Sequence, residues 1–205
     1  MPQTITYPIP VTEQISYEDF LKKYAGVHAE WIAGEVLLLM TASDKHQDLV
    51  GWLSAILRLF VEAYDLGWLR PAPFNMQLPH LDRGHEPDIL FVSKERMHIV
   101  QSTKLAEAAD MVIEIVSPES IEGDRGTKFV EYETAGVREY WLIDPDREQA
   151  EFYFLAENGR YRPTPLDHDG HFTSTVLANF WLQPDWLWQE PLPKVLDIAR
   201  KLRLI

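Results

Sequence analysis

Glu114 is the first residue whose setting asks for an explanation. It lies in the run Met111-Val112-Ile113-Glu114-Ile115-Val116. Strand alternation puts Val112, Glu114 and Val116 on one face and Ile113 and Ile115 on the other. A carboxylate in so apolar a strand is costly unless a cation, a proton or hydrogen bonds satisfy it. Asp88, in Pro87-Asp88-Ile89-Leu90-Phe91-Val92, poses the same question. Two acids at or in adjacent core strands can converge on one point, and hard cations such as Mg²⁺ or Mn²⁺ bind that kind of oxygen cluster. A purely structural reading stands beside this one, with Asp88 at a strand end and Glu114 salt-bridged within the fold.

Lys128 adds a cation to the pair. In the expected helix over 125–135, Phe129, Tyr132 and Ala135 make the apolar face. Lys128, Tyr132 and Ala135 fall at i, i+4 and i+7, so Lys128 borders that face. The loop Ser117-Pro118-Glu119-Ser120 joins the Glu114 strand to this helix, which lets Lys128 swing back over the acids. Two acids, a divalent metal and a lysine make a device for phosphodiester hydrolysis. The metal polarises the phosphate and lowers the pKa of an attacking water. The lysine orients that water or stabilises the added negative charge. The alternative for Lys128 is a solvated helix lysine paired with Asp124 at i−4.

The elements that must position these groups are legible in the apolar periodicity. Ser16-Tyr17-Glu18-Asp19 reads as a capping box opening a short helix to about residue 24. Residues 30–32 and 35–40 read as two strands around a tight turn at Ala33-Gly34. From 45 to 66, Leu49, Val50, Leu53, Ile56, Leu57, Phe60, Val61 and Tyr64 recur at helical spacing, with Gly67 as a C-terminal stop. Strands follow over 74–78, 88–92 and 111–116. The last two are nearly continuous apolar runs, as expected of central strands covered on both faces. Asp124 is expected to cap the next helix, which Gly136 closes. A strand over 139–143, a hairpin around 151–155 and Asn158-Gly159, a Trp-rich segment over 180–188 and a basic helix over 193–202 complete the chain. The order predicts an α/β fold with a mixed sheet and helices on its faces.

Composition narrows the classes. The 205 residues carry 19 Lys+Arg against 32 Asp+Glu, a formal charge of −13. At that charge a polyanion is repelled at long range unless a basic face or bound cations intervene, which weakens tight, non-specific nucleic-acid binding. Excess carboxylates suit divalent metals. The absence of cysteine excludes disulfides, thiol catalysis and zinc–thiolate sites, and fits a reducing cytoplasm. No run reaches the ~18 apolar residues of a membrane helix, and the N-terminal stretch lacks the basic and apolar parts of a secretory signal.

Longer motifs carry a resemblance. Glu86-Pro87-Asp88, the run 112–120 around Glu114, Asp124-Arg125-Gly126-Thr127-Lys128-Phe129-Val130-Glu131-Tyr132 and the run 135–145, which contains Glu139-Tyr140-Trp141, are similar to the Uma2 family. Glu30-Trp31-Ile32-Ala33-Gly34-Glu35 and His46 match upstream, so the resemblance spans about 17–181. It implies a restriction-endonuclease-like, PD-(D/E)xK fold. That is one domain, with a mixed β-sheet core flanked by helices over about 17–145 and a C-terminal β-hairpin and helix over 146–205. It further implies Asp88 and Glu114 as ligands of Mg²⁺ or Mn²⁺, helped by the carbonyl of Ile115, and DNA as the substrate. One departure stands out. The superfamily places a lysine two residues after the second acid, and here that position is Val116. In Uma2-like sequences the lysine has moved to the following helix, which makes it Lys128.

Glu30 and His46 form a second tier, each a ligand, a proton shuttle or a structural hydrogen-bonder. Glu35, Glu131 and Tyr132 are weaker, with the Tyr132 hydroxyl bonding a carboxylate while the ring packs. His80, His85, His168 and His171 read as loop residues without zinc spacing. Ser117 and Ser120 lack a nucleophile elbow, and no phosphate-cradling glycine loop occurs. Trp181, Trp186 and Trp188 suit a core or the contact of a homodimer, since restriction-like nucleases often pair to cut two strands. The leading expectation is a metal-dependent endonuclease. The alternative is an inactive nuclease-fold interaction or nucleic-acid-binding module, favoured by the negative charge and the absent lysine at 116.

Overall fold

The apolar runs around Asp88 and Glu114 form the middle of a mixed sheet. The computed structural model describes residues 9–11, 13–39, 43–117 and 123–205. The chain begins with β1 (Ile9–Val11), α1 (Tyr17–Lys23), β2 (Ala29–Ile32), β3 (Glu35–Leu38) and the long helix α2 (Asp44–Ala63). It continues through β4 (Gly67–Pro71), β5 (Asn75–Leu78), β6 (Arg83–His85), β7 (Ile89–Ser93), β8 (Lys104–Leu105) and β9 (Met111–Ile115). After α3 (Lys128–Ala135) come β10 (Glu139–Asp144), β11 (Gln149–Leu155), β12 (Tyr161–Pro163), β13 (Phe172–Thr173), β14 (Trp181–Leu182) and α4 (Val195–Lys201).

One six-stranded sheet has the order β12-β11-β10-β9-β7-β4 and a second has β1-β3-β2-β6-β5-β8. Within the first, β9 and β10 run parallel and the other neighbours antiparallel. The predicted alternation holds along β9. Met111, Ile113 and Ile115 join one core cluster, with Leu49, Leu53, Ile56 and Phe60 of α2 and Trp141 and Ile143 of β10. Val112 and Val116 join the other, with Leu90, Met76, Tyr132 and Tyr140. Each fully buried Leu, Ile or Phe of such a layer contributes about 1.5–3 kcal/mol. The central sheet is thus held between α2 with the C-terminal segments on one side and α3 with the second sheet on the other.

Several boundaries differ from expectation, each for a physical reason. Helix α2 stops at Ala63, because Asp65 takes a left-handed φ of 51° and turns the chain. Gly67 does not cap that helix. It opens β4, a strand the sequence did not suggest. There a Cβ would stand 2.1 Å from the Val92 carbonyl oxygen, so only glycine lets β4 close on β7. Asp124 is not a cap either: 123–127 form a π-helical turn that buries it, and α3 starts at Lys128. Gly136 does close α3, at φ 85°. The Trp-rich segment belongs to the core, with Trp186 buried and Trp181 and Trp188 packed against the same cluster. Residue 40 of the expected hairpin and residues 118–120 of the expected loop lie outside the described residues. No helix among the described residues is long and apolar enough to cross a membrane.

Candidate active site

Register brings the two acids together. Ile89 pairs with Ile113 across the antiparallel β7–β9 ladder, so Asp88, one step further, faces Glu114. Asp88 Oδ2 accepts from the backbone N–H of Ile115 at 2.7 Å. The same oxygen lies 3.2 Å from Nε2 of His46, which α2 delivers from its first turn. The Ser43 side chain caps that turn by accepting from the His46 N–H. Burial would lower the His46 pKa, but its hydrogen bond to Asp88 and that carboxylate's charge outweigh burial and raise it. Among the described residues, Asp88 Oδ1 carries no hydrogen bond, and the side chain is 13% exposed.

Lys128 meets three carboxylates. Its ammonium lies 3.0 Å from Glu30 Oε1, 3.2 Å from Glu114 Oε1 and 3.2 Å from Asp124 Oδ1. The solvated-lysine alternative therefore fails, although its Asp124 partner is real. Desolvation pulls this ammonium down, yet Glu114, Glu30 and Asp124 together hold its pKa well above the usual lysine value. Val116, at the superfamily's lysine position, is buried in the apolar cluster. The Tyr132 hydroxyl donates to Glu114 Oε1 at 2.7 Å, as its position on α3 suggested.

The acids divide by environment. Burial drives Glu114 up; Lys128 opposes this, and Asp124, Asp88 and Glu30 reinforce it, so its carboxyl is pushed up to about 8. Glu30 is as deeply buried, but Lys128 and His85 overcome that burial and hold it well below the usual carboxylate range. Glu114 thus sits among Asp124, Asp88 and Glu30 with Lys128 as its neighbouring ammonium.

His85 corrects an expectation. It is no loop histidine: β6 buries it, 1% exposed, with Nε2 2.6 Å from Glu131 Oε2 and Nδ1 3.3 Å from Glu30 Oε1. Desolvation lowers its pKa, but the charge of Glu30 and the hydrogen bond to Glu131 win and push it up to about 9. Arg83 donates to the other oxygen of Glu131 at 2.6 Å. His85 and Glu131 therefore brace Glu30, and Asp124 joins the set from the turn before α3. Glu35, weighed earlier, is exposed on β3. His168 stands with Asp167 and Asp169 in an exposed trio whose ligand atoms lie within 4.8 Å of one another, a grouping that is common on surfaces without an ion.

Fold and site together define a mixed α/β protein with a buried acid–lysine centre on the interior strands of its central sheet. Residues 17–185 match the Uma2 family model, described as "Putative restriction endonuclease", and the chain belongs to that family. The family resemblance read from the motifs therefore stands. No curated protein matches the chain. Among solved structures it is similar to "a putative nuclease belonging to DUF820 from Anabaena variabilis ATCC 29413". Identity is 18% and the TM-score 0.68, over 85% of this chain and 97% of that one. At that identity the likeness is one of fold.

Proposed function

We propose that the protein is a divalent-metal-dependent endonuclease that hydrolyses phosphodiester bonds of DNA at the Asp88, Glu114 and Lys128 centre. The observation that carries this reading is the contact of Lys128 with Glu114, on the strand beside Asp88. The donor set fits Mg²⁺ or Mn²⁺. It offers only hard oxygens, one Asp88 oxygen free of hydrogen bonds among the described residues, and more carboxylate than cation. Asp88, Glu114 and the carbonyl of Ile115 would hold the ion. When bound, it supplies charge at the scissile phosphate and acidifies an attacking water.

The chain's own groups do the remaining work. Lys128 orients the water or neutralises charge gathering on the phosphate, and its buried position magnifies that effect. His46 and the Ile115 N–H fix the Asp88 carboxylate. Glu30, braced by His85, holds the Lys128 ammonium at 3.0 Å. An inert nuclease-fold module has no evident use for so many buried, mutually oriented charges, which cost folding free energy.

The test is cleavage of plasmid and oligonucleotide DNA with Mn²⁺, alongside Asp88→Ala and Glu114→Ala. Both substitutions are expected to abolish cleavage and weaken calorimetric Mn²⁺ binding. Cleavage that survives both belongs to a contaminant or another site. Absence of cleavage in the wild type, with Mn²⁺ binding unchanged by either substitution, favours the inactive module.

A further inference from the structure

A pocket opens at Asn75 and Glu86, the latter two residues before Asp88. Its volume is about 250 Å³, and it lies between α1, the start of β5 and the 102–103 loop. Phe20, Tyr24 and Phe74 supply aromatic walls, with Tyr24 and Phe74 only half-buried. Two buried polar side chains face this space, Asn75 (6% exposed) and Glu86 (7% exposed). Thr103 stands exposed on the rim.

The polar groups are half-used. The Tyr17 hydroxyl donates to Asn75 Oδ1, while Asn75 Nδ2 has no hydrogen-bond partner among the described residues. A buried donor left without a partner is unfavourable, and a ligand acceptor would relieve it. Glu86 pairs with His28 Nδ1 through one oxygen. A carboxylate has about four acceptor sites, so Glu86 keeps capacity for two further N–H donors. Because Glu86 already pairs with the His28 ring, its remaining sites suit a neutral N–H donor better than a second basic group. The pocket is smaller than the ~300–1,000 Å³ of drug-sized sites, which favours a single planar heterocycle over a peptide segment.

We propose that this pocket holds a guanine base of the nucleic-acid strand. Guanine alone among the common bases offers two adjacent N–H donors on one edge for a carboxylate, with a carbonyl oxygen next to them for Asn75 Nδ2. The aromatic walls stack any base, so selection falls to Glu86 and Asn75. The connection to the centre is short. Glu86 is two residues from Asp88, and His28 is two from Glu30. Two extended residues span about 7 Å, a reach that one nucleotide can bridge. The proposal rests on the nuclease reading for the source of the base and for nothing else.

The test uses the full chain in chelator-containing buffer, with nucleosides that carry no phosphate to reach the acid–lysine centre. Guanosine is expected to bind at least tenfold tighter than adenosine, cytidine or uridine by ligand-observed NMR titration. Glu86→Gln and Thr103→Trp, the second on the exposed rim, are each expected to weaken it at least tenfold. A thymidine heptamer with one central guanine should displace guanosine, and the all-thymidine heptamer should not. Equal binding of all four nucleosides, no binding, or binding unmoved by Thr103→Trp overturns the proposal. So does guanosine binding that the guanine heptamer cannot displace, which would mark the ligand as a free nucleoside. Cleavage without guanosine binding sinks only the pocket, and guanosine binding without cleavage sinks only the nuclease reading.

Discussion

The Lys128 ammonium lies 3.2 Å from Glu114 Oε1, although one residue opens a helix and the other sits inside a central strand. Two further carboxylates, Glu30 and Asp124, reach the same ammonium. The lysine is therefore both the counter-ion of the metal-free fold and a group poised over the acids. Fold and chemistry are coupled at this one atom.

Lys128→Met separates the two roles. It keeps most of the side chain's length and removes the charge. Cleavage is expected to fall by about 10²–10³-fold, the usual cost of losing one positioned electrostatic group. The metal-free variant should lose about 3–5 kcal/mol in urea unfolding, because buried acids are left without their cation. Mn²⁺ should restore much of that stability and bind no more weakly than to the wild type. Full activity in the variant would remove Lys128 from the mechanism.

His46→Ala tests the support of Asp88. The helix cap uses the His46 backbone N–H, so α2 should keep its start without the ring. Losing the ring frees Asp88 Oδ2 from one of its two partners. Groups that orient a ligand in this way typically matter 10–100-fold, so calorimetric Mn²⁺ affinity should fall by about that factor. Unchanged affinity with reduced cleavage would make His46 a proton-transfer group instead.

His85 gives the metal-free fold a pH dependence of definite sign. Its pKa is about 9 in the fold against about 6.5 unfolded, so the folded state holds the proton more tightly. The resulting stability is complete below about pH 6.5 and is lost as pH rises to about 9. It is on the order of 3 kcal/mol. The unfolding midpoint should therefore drop more steeply across this window in the wild type than in His85→Gln. Glu114, whose carboxyl is also raised, acts in the same direction in both proteins and cancels in the comparison. Parallel curves would show that His85 is neutral.

The site was legible where local pattern carries the information. Alternation along 111–116 fixed the face of Glu114, and helical spacing put Lys128 and Tyr132 on the side of α3 that meets it. His85 was missed because its short strand, Arg83–His85, has the composition of a loop. Its burial comes from Glu30 and Glu131, which are far away in sequence. Asp124 was misread because an acid before a helix usually caps it. Here a π-helical turn carries it inward to Lys128. Strand β4 was hidden for a similar reason: Gly67 looks like a helix terminator, and its close approach to Val92 appears only once β7 is in place.

Glu139 and Glu114 make a final contrast, since both are buried glutamates on neighbouring strands. Glu139 is saturated by the protein. It accepts from Trp141 Nε1 at 2.7 Å, Ser174 Oγ at 2.8 Å, Thr175 Oγ1 at 2.6 Å, and the N–H groups of Thr175 and Val176 at 2.5 and 3.1 Å. Glu139→Gln turns an amide donor onto some of those donors and should destabilise the fold by about 1–3 kcal/mol, leaving Mn²⁺ binding intact. Glu114 is crowded by Asp124, Asp88 and Glu30. Glu114→Gln removes a costly buried charge above pH 8, while Glu30 and Asp124 still hold Lys128. At pH 9 without metal it should melt no lower than the wild type, yet it should lose Mn²⁺ binding and cleavage. A Glu114→Gln protein that is destabilised at pH 9 and still binds Mn²⁺ would mean that both glutamates merely hold the fold together.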